Sequence, residues 1–256
     1  MPDLPDIPDL IILGDGVLAA AVAVALSGRP LLWVQRAGPP PSAPALAAPG
    51  RPDDWLAADA ATRRRMQRSA AWFAAMRAPA RPLPVRVDSA PPPDDLRLIV
   101  ADTRRIWRAL LAAARQRAVP TLRAASAAPL IAADGRCIGV VTRRRTLPAR
   151  LVIRTVGLHP TPSLWIDDAP PAPAVRLTPD PDASGGWTIR FPFDHASYVT
   201  RPPSDPPPPA LPGVTPTSGA VAGVAVARGL LTVQAFGSHG LSAIPDLLDI
   251  VRTLLR

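Results

Sequence analysis

Apolar side chains fall in short unbroken runs near both ends of the chain and on helical stripes between them. Leu10–Leu13 and Leu31–Val34 have the length and character of strands buried on both faces of a parallel sheet. Val17–Ser27, between them, is an Ala-rich stretch that predicts a helix, so strand, helix and strand form one βαβ unit. Residues 54–77 and 103–117 carry helical spacing, with Trp55, Met66, Trp72 and Phe73 on the first and Ile106, Trp107, Leu110 and Leu111 on the second. These aromatics read most simply as core. From Pro129 to Val156 the pattern shortens to strands about a turn at Asp134-Gly135, ending in the apolar strand Leu151–Val156. A strand at Leu230–Gln234, a turn at Gly237-Ser238-His239-Gly240 and a helix from Ile244 to Leu255 close the pattern. The 36 prolines concentrate near 38–52, 78–93, 158–181 and 202–216. Proline fixes φ and donates no N–H, so each cluster is expected to be loop.

A chain of 256 residues that is 48% hydrophobic can bury a sizeable core as one domain, or as one large domain carrying a smaller lobe. The formal charge of +9 points to polyanions, but its make-up changes that reading. Every cation is Arg, every carboxylate is Asp, and Ala and Pro abound, which is a bias along the whole chain rather than one basic surface. Nucleic acid is therefore not the expected partner. Without Lys there is no P-loop lysine and no Schiff-base nucleophile. The lone Cys137 excludes an internal disulfide and a cysteine zinc site, and reads as a small buried apolar group. His159, His195 and His239 show no ligand spacing, so no metal site is expected. The apolar stretch from Leu10 to Leu26 is flanked by Asp3, Asp6 and Asp9 and interrupted by Asp15, which fits neither a targeting nor a membrane-spanning segment. The expectation is a soluble cytoplasmic protein.

Gly14-Asp15-Gly16-Val17-Leu18-Ala19 spells G-x-G-x-x-A between a buried strand and a helix. The first glycine permits the tight turn, the second lets backbone approach a pyrophosphate, and the small third residue lets helix and strand pack closely. The diphosphate then sits at a helix N-terminus, where free N–H groups and the helix dipole favour an anion. After the second strand, where an acidic residue ordinarily accepts hydrogen bonds from the adenosine ribose, the chain has Gln35 and then Arg36. A Gln can still accept through its carbonyl oxygen.

The fingerprint followed by Trp33-Val34-Gln35-Arg36 resembles the opening of the D-amino-acid oxidase and glycine oxidase family, which has an acidic residue where Gln35 stands. Asp102-Thr103-Arg104-Arg105-Ile106-Trp107, the Asp134–Val140 hairpin and Ala149–Gly157 resemble later family segments in the same order. Gly229–Ser242 is similar to the family's C-terminal turn beside the flavin. The resemblance implies an α/β fold: a Rossmann-like FAD-binding domain with a parallel central sheet and helices over 1–157 and 213–256, plus a reduced, Pro-rich antiparallel substrate-type lobe over 158–212. FAD is the implied cofactor. Candidate cofactor-binding residues are Gly14, Gly16, Ala19, Gln35, Arg36, Ala128, Gly157, Gly237, Ser238, His239, Gly240 and Leu241.

Tyr198 and Arg201 lie in a segment resembling a family substrate strand and are the catalytic candidates. Tyr198 either orients substrate over the flavin or is a strand aromatic with an exposed hydroxyl. Arg201 either replaces the family's missing carboxylate clamp or is one exposed Arg among many. Asp194-His195, beside Phe191 and Phe193, is either an acid–base pair or two strand neighbours pointing to opposite faces, and the second reading is favoured. Three functions stay open. One is an FAD-dependent oxidoreductase taking hydride from a small amine or amino-acid-like substrate. Another is a non-catalytic flavin-fold subunit serving assembly or regulation with a partner subunit or a second copy. The third, from the phrase Ala235-Phe236-Gly237-Ser238, is a tRNA-acting oxidoreductase.

Overall fold

The βαβ unit forms where the apolar runs place it, as β1 (Leu10–Leu13), α1 (Gly16–Ala25) and β2 (Leu31–Gln35). The computed structural model describes residues 8–35, 44–46, 56–57, 59–75, 81–87, 97–156, 164–167, 174–179, 187–192, 197–200, 222–235 and 241–256. Further along come β3 (Pro44–Leu46), α2 (Ala60–Ala75), β4 (Arg81–Val87), β5 (Arg97–Asp102), α3 (Thr103–Gln116) and β6 (Thr121–Arg123). A meander of β7 (Ala127–Ile131), β8 (Cys137–Thr142) and β9 (Thr146–Pro148) precedes β10 (Leu151–Val156). Then follow β11 (Leu164–Asp167), β12 (Val175–Pro179), β13 (Trp187–Pro192), β14 (Ser197–Thr200), β15 (Ala222–Ala227) and β16 (Leu230–Ala235). A 3₁₀ turn at Leu241–Ala243 leads into α4 (Ile244–Leu254).

The first sheet has the order β15-β16-β10-β1-β2-β6. All its neighbours pair in parallel except β15, which runs antiparallel to β16. Its central strands β1 and β2 read as apolar runs because both their faces are covered. Leu10, Ile12, Leu31, Trp33, Ile153, Leu231 and Val233 join one core with residues of α1, α2, α3 and α4. Ile11, Leu13, Leu32, Val34 and Val152 pack on the other face with Cys137, Val140 and Leu147 of the meander. The result is three layers: helices, parallel sheet, antiparallel meander. Cys137 is buried, in keeping with its apolar reading.

Between its ends α1 is almost wholly buried, and its alanines let it lie close to the sheet. Its C-terminal end is closed from outside, where Arg117 Nη1 donates to the Val24 carbonyl at 2.7 Å and Ser27 Oγ donates to the same oxygen at 3.0 Å. Among the described residues, no helix is long and apolar enough to cross a membrane.

The second sheet has the order β11-β14-β13-β12-β4-β5-β3. The expected 158–212 lobe supplies β11 to β14, and β3, β4 and β5 from the first half complete the sheet. The proline clusters near 38–52, 78–93 and 158–181 are therefore not simply loop, since β3, β4, β11 and β12 lie within them. Pro82 and Pro84 occupy β4 opposite Ile99 and Arg97 of β5. Prolines two residues apart put both nitrogens on the same strand edge, and β12 registers only with Val85–Val87, so the other edge at these positions needs no donor. The cluster near 202–216 lies outside the described residues.

At the start of α2, Asp59 Oδ1 accepts the Thr62 backbone N–H at 2.7 Å, the bond of an N-cap. That bond holds the exposed Asp59 carboxyl below the usual carboxylate range. A depressed carboxyl stabilises the fold above its unfolded pKa and loses that contribution as pH falls through the folded value. Asp59→Ala is expected to unfold at lower urea than the parent at pH 7, with the gap closing below about pH 4. A gap that stayed constant down to pH 2.5 would show that the charge plays no part.

Candidate dinucleotide site

In the first sheet the chain passes from β1 through α1 to β2 on one side, and only later adds β10 on the other side of β1. The carboxyl ends of β1 and β10 thus flank a topological switch point, the crevice where open α/β sheets take ligands. Gly14, Asp15 and Gly16 leave β1 there. Gly14 has φ +152° and its N–H continues the ladder to the Val34 carbonyl at 3.1 Å. A Cβ on Gly14 would overlap Thr155 Oγ1 and come within 2.8 Å of the Thr155 carbonyl oxygen. The first glycine is therefore required by β10 pressing on the turn.

Two hydrogen bonds fix this corner. Trp33 Nε1 donates to the Gly14 carbonyl at 3.1 Å, and Thr155 Oγ1 donates to the Leu13 carbonyl at 3.4 Å. Both are buried, where an unmade bond is costly. Gly16 differs from Gly14. Its φ is +79°, a conformation that suits glycine, yet a Cβ there would meet nothing within 4 Å. Asp15 is the N-cap residue of α1 but its side chain makes no capping bond. The first turn of α1 thus presents backbone N–H groups beside open space, while Ala19 is fully buried against the sheet.

Gln35 ends β2 on the helix face and is only 7% exposed. Among the described residues, its side-chain amide has no hydrogen-bond partner, although its carbonyl accepts the Ala124 N–H at 2.8 Å. β16 runs parallel to β10, so its carboxyl end at Ala235 lies at the same sheet edge as Gly14. The sequence expectations for Arg36, Gly157, Gly237, Ser238, His239, Gly240 and Arg201 lie outside the described residues, as do all three histidines. Leu241 opens the 3₁₀ turn. Ala128 is exposed on β7, opposite Val141, while its neighbour Ala127 packs on the meander-side core. Tyr198 lies on β14 in the other sheet, in register with Ile166 and Phe191.

Three contacts at this edge come from residues not among the candidates: Thr155, Trp33, and the pair Ser69 and Ser242. Buried Ser69 Oγ donates to the Ser242 carbonyl at 2.5 Å, tying α2 to the 3₁₀ turn. Beside it, Arg68 bonds Asp246 at 2.9 Å and also pairs with Asp249. Thr155, Trp33 and Ser242 each lie in a segment that resembles the oxidase family, whereas Ser69 carried no such signal.

No model of a known protein family matches the sequence, and no curated protein does. Solved structures do match. L-proline dehydrogenase from P. horikoshii superposes with a TM-score of 0.61 at 12% identity, over 98% of this chain and 94% of that one. An FAD-dependent oxidoreductase from Pseudomonas aeruginosa gives 0.59 at 15% identity, over 98% and 91%. Iminodiacetate oxidase from Chelativorans sp. BNC1 gives 0.58 at 14%, over 96% and 95%. The chain shares the fold of these three enzymes, one of which is an FAD-dependent oxidoreductase. Because the likeness spans nearly the whole chain, it takes in the second sheet as well as the first. The residues present would suit a dinucleotide: a sterically required first glycine, open space at the second, a helix start without a side-chain cap, and the buried Gln35 amide, which has no hydrogen-bond partner among the described residues.

Proposed function

We propose that the chain is an FAD-dependent oxidoreductase of the amino-acid or amine oxidase kind, acting on a small carbon–nitrogen substrate. The observation that carries this is the alignment, on one face and one edge of the parallel sheet, of the open space at Gly16 with the buried amide of Gln35, which has no hydrogen-bond partner among the described residues. Gly14, Gly16 and the first turn of α1 would hold the diphosphate, Gln35 and Arg36 the adenosine ribose, and the turn from Gly237 to Leu241 the ring system. When bound, FAD supplies a two-electron acceptor for the substrate carbon–nitrogen bond. The protein's share is to bind, orient and exclude water. Tyr198 and Arg201 are the proposed substrate contacts, in a lobe at 158–212 whose strands share one sheet with β3, β4 and β5 of the proposed FAD-binding domain at 1–157 and 213–256. Support comes from the resemblance of the Gly229–Ser242 segment to the oxidase family and from the amine-directed enzymes among the matching folds.

The test begins with colour. Purified protein incubated with FAD and desalted is expected to retain visible flavin absorbance, and to bleach without oxygen when a small amine or amino acid is added. Gly16→Ala is expected to lose FAD retention while its melting temperature falls by only a few degrees, because left-handed strain of about 1–2 kcal/mol is its main fold penalty. Protein that never retains flavin overturns the proposal. Protein that retains flavin but bleaches with no amine or amino acid supports the non-catalytic subunit instead.

A further inference from the structure

We infer that the open edge of the first sheet is a self-association surface, and that two copies of the chain join there through β15. The inference stands apart from the flavin reading. β15 ends the sheet, and among the described residues β16 is its one strand partner. The strand Ala222–Ala227 reads Ala-Gly-Val-Ala-Val-Ala, without charge or proline, and its register with β16 runs without a bulge. Exposed edges are ordinarily blunted by charges, prolines or bulges, because their bare N–H and C=O groups are a template for another strand. This edge carries none of those devices along its length.

The side chains around the edge are apolar and exposed. Val226 registers with Leu231 of the helix-side core, so it lies on the helix face, yet it is 64% exposed. In the helix layer, α4 touches both α1 and β15. Ile244, Leu247, Leu248 and Val251 turn α4 to the core, which leaves Ile250 and Leu254, one turn apart, on a flank, 45% and 50% exposed. With the right-handed β1-α1-β2 crossover of this kind of sheet, α1 lies on the opposite flank of α4, so Ile250 and Leu254 face outward over β15. In the meander, Cys137 N–H donates to the carbonyl of Arg228, just past β15, at 2.8 Å. Ile138 follows Cys137 and Ile131 stands opposite it, and both are exposed. Five of the six large apolar residues exposed among the described residues thus gather along one side of the molecule.

A second copy suits this side better than a peptide. One added strand would cover only about 5 Å beyond β15, whereas the layers above and below it stand about 10 Å away, so α4 and the meander isoleucines would stay bare. The sequence ahead of β15 has prolines at 202–203, 206–209, 212 and 216, and so has few N–H groups to give an edge. A copy related by a two-fold axis perpendicular to the sheet sets β15 antiparallel to its own counterpart, matches bare donors with bare acceptors, and brings the Ile250–Leu254 flank against itself. Strands of 6 residues at about 3.4 Å each run about 20 Å, and three layers at about 10 Å each make about 30 Å. Each copy then offers about 600 Å² and the pair about 1,200 Å², the lower bound of a standard interface.

Sedimentation velocity of the full chain at micromolar concentration is expected to show a species of twice the 26.9 kDa chain mass, persisting at high salt because the surface is uncharged. Ile250→Arg and Val226→Arg are each expected to raise the dissociation constant at least about a hundredfold, since the two-fold axis sets each new cation near its own copy. Flavin retention should not change in either, nor should the melting temperature of dilute Ile250→Arg. Hydrogen exchange of the Ala222–Ala227 amides is expected to slow as the parent is concentrated but not as Ile250→Arg is. A parent that stays monomeric overturns the inference, whether its β15 amides exchange fast, as on a bare edge, or slowly, as on an edge covered by the chain itself. A dimer that both substitutions leave intact also overturns it, because its contact then lies elsewhere.

Discussion

Gly14→Ala is expected to lower the melting temperature by about 10 °C and to abolish nucleotide binding. The new methyl meets the Thr155 side chain and the Thr155 carbonyl of the neighbouring strand, and the backbone at Gly14 holds a positive φ. Overpacking of this kind costs about 1–3 kcal/mol and a positive φ about 1–2 kcal/mol. Trimming Thr155 tests the cause: in a Thr155→Ala background the steric part of the penalty should shrink while the conformational part remains. Thermal unfolding of the four proteins of this cycle gives the coupling directly. Simple additivity would mean that the two strands do not press on one another at the turn.

Trp33→Ala should cost about 3–5 kcal/mol, since the indole is among the largest fully buried side chains and stands in the helix-side core. Trp33→Phe separates packing from polarity. It keeps most of the ring but withdraws the donor from the Gly14 carbonyl, leaving a buried oxygen unsatisfied at a cost of about 1–3 kcal/mol. Because that oxygen belongs to the loop that would hold the diphosphate, Trp33→Phe is also expected to weaken nucleotide binding beyond its effect on stability. Urea unfolding alongside nucleotide titration checks both. Unchanged binding in Trp33→Phe would show that the indole supports the fold and not the loop.

The parts of the molecule legible in the sequence are those whose pattern is local. β1, α1 and β2 showed themselves because burial on both faces removes the polar alternation, and the G-x-G-x-x-A turn lies within six residues. The helices at 60–75, 103–116 and 244–254 followed from their stripes, with ends differing by a few residues. What escaped depends on distance. The demand of Thr155 for a glycine at position 14 arises from a strand far along the chain. β4 was hidden because Pro82 and Pro84 argue against a strand until the uncovered edge is known. The second sheet gathers strands from before residue 103 and after residue 163, which no local period announces. Gln35 stood out as a departure from the dinucleotide pattern.

The parallel pairing of β1 with β10 has a consequence for biosynthesis. Leu10 and its partner Leu151 are 141 positions apart (151 − 10). At roughly 5–20 residues per second on the ribosome, the inner edge of an all-apolar strand waits on the order of 7–28 seconds before its neighbour emerges. Throughout that interval the nascent chain displays a sticky, unzipped seam, so slower initiation, cooler growth or a holding chaperone should raise the yield of intact protein more than any change to its finished surface.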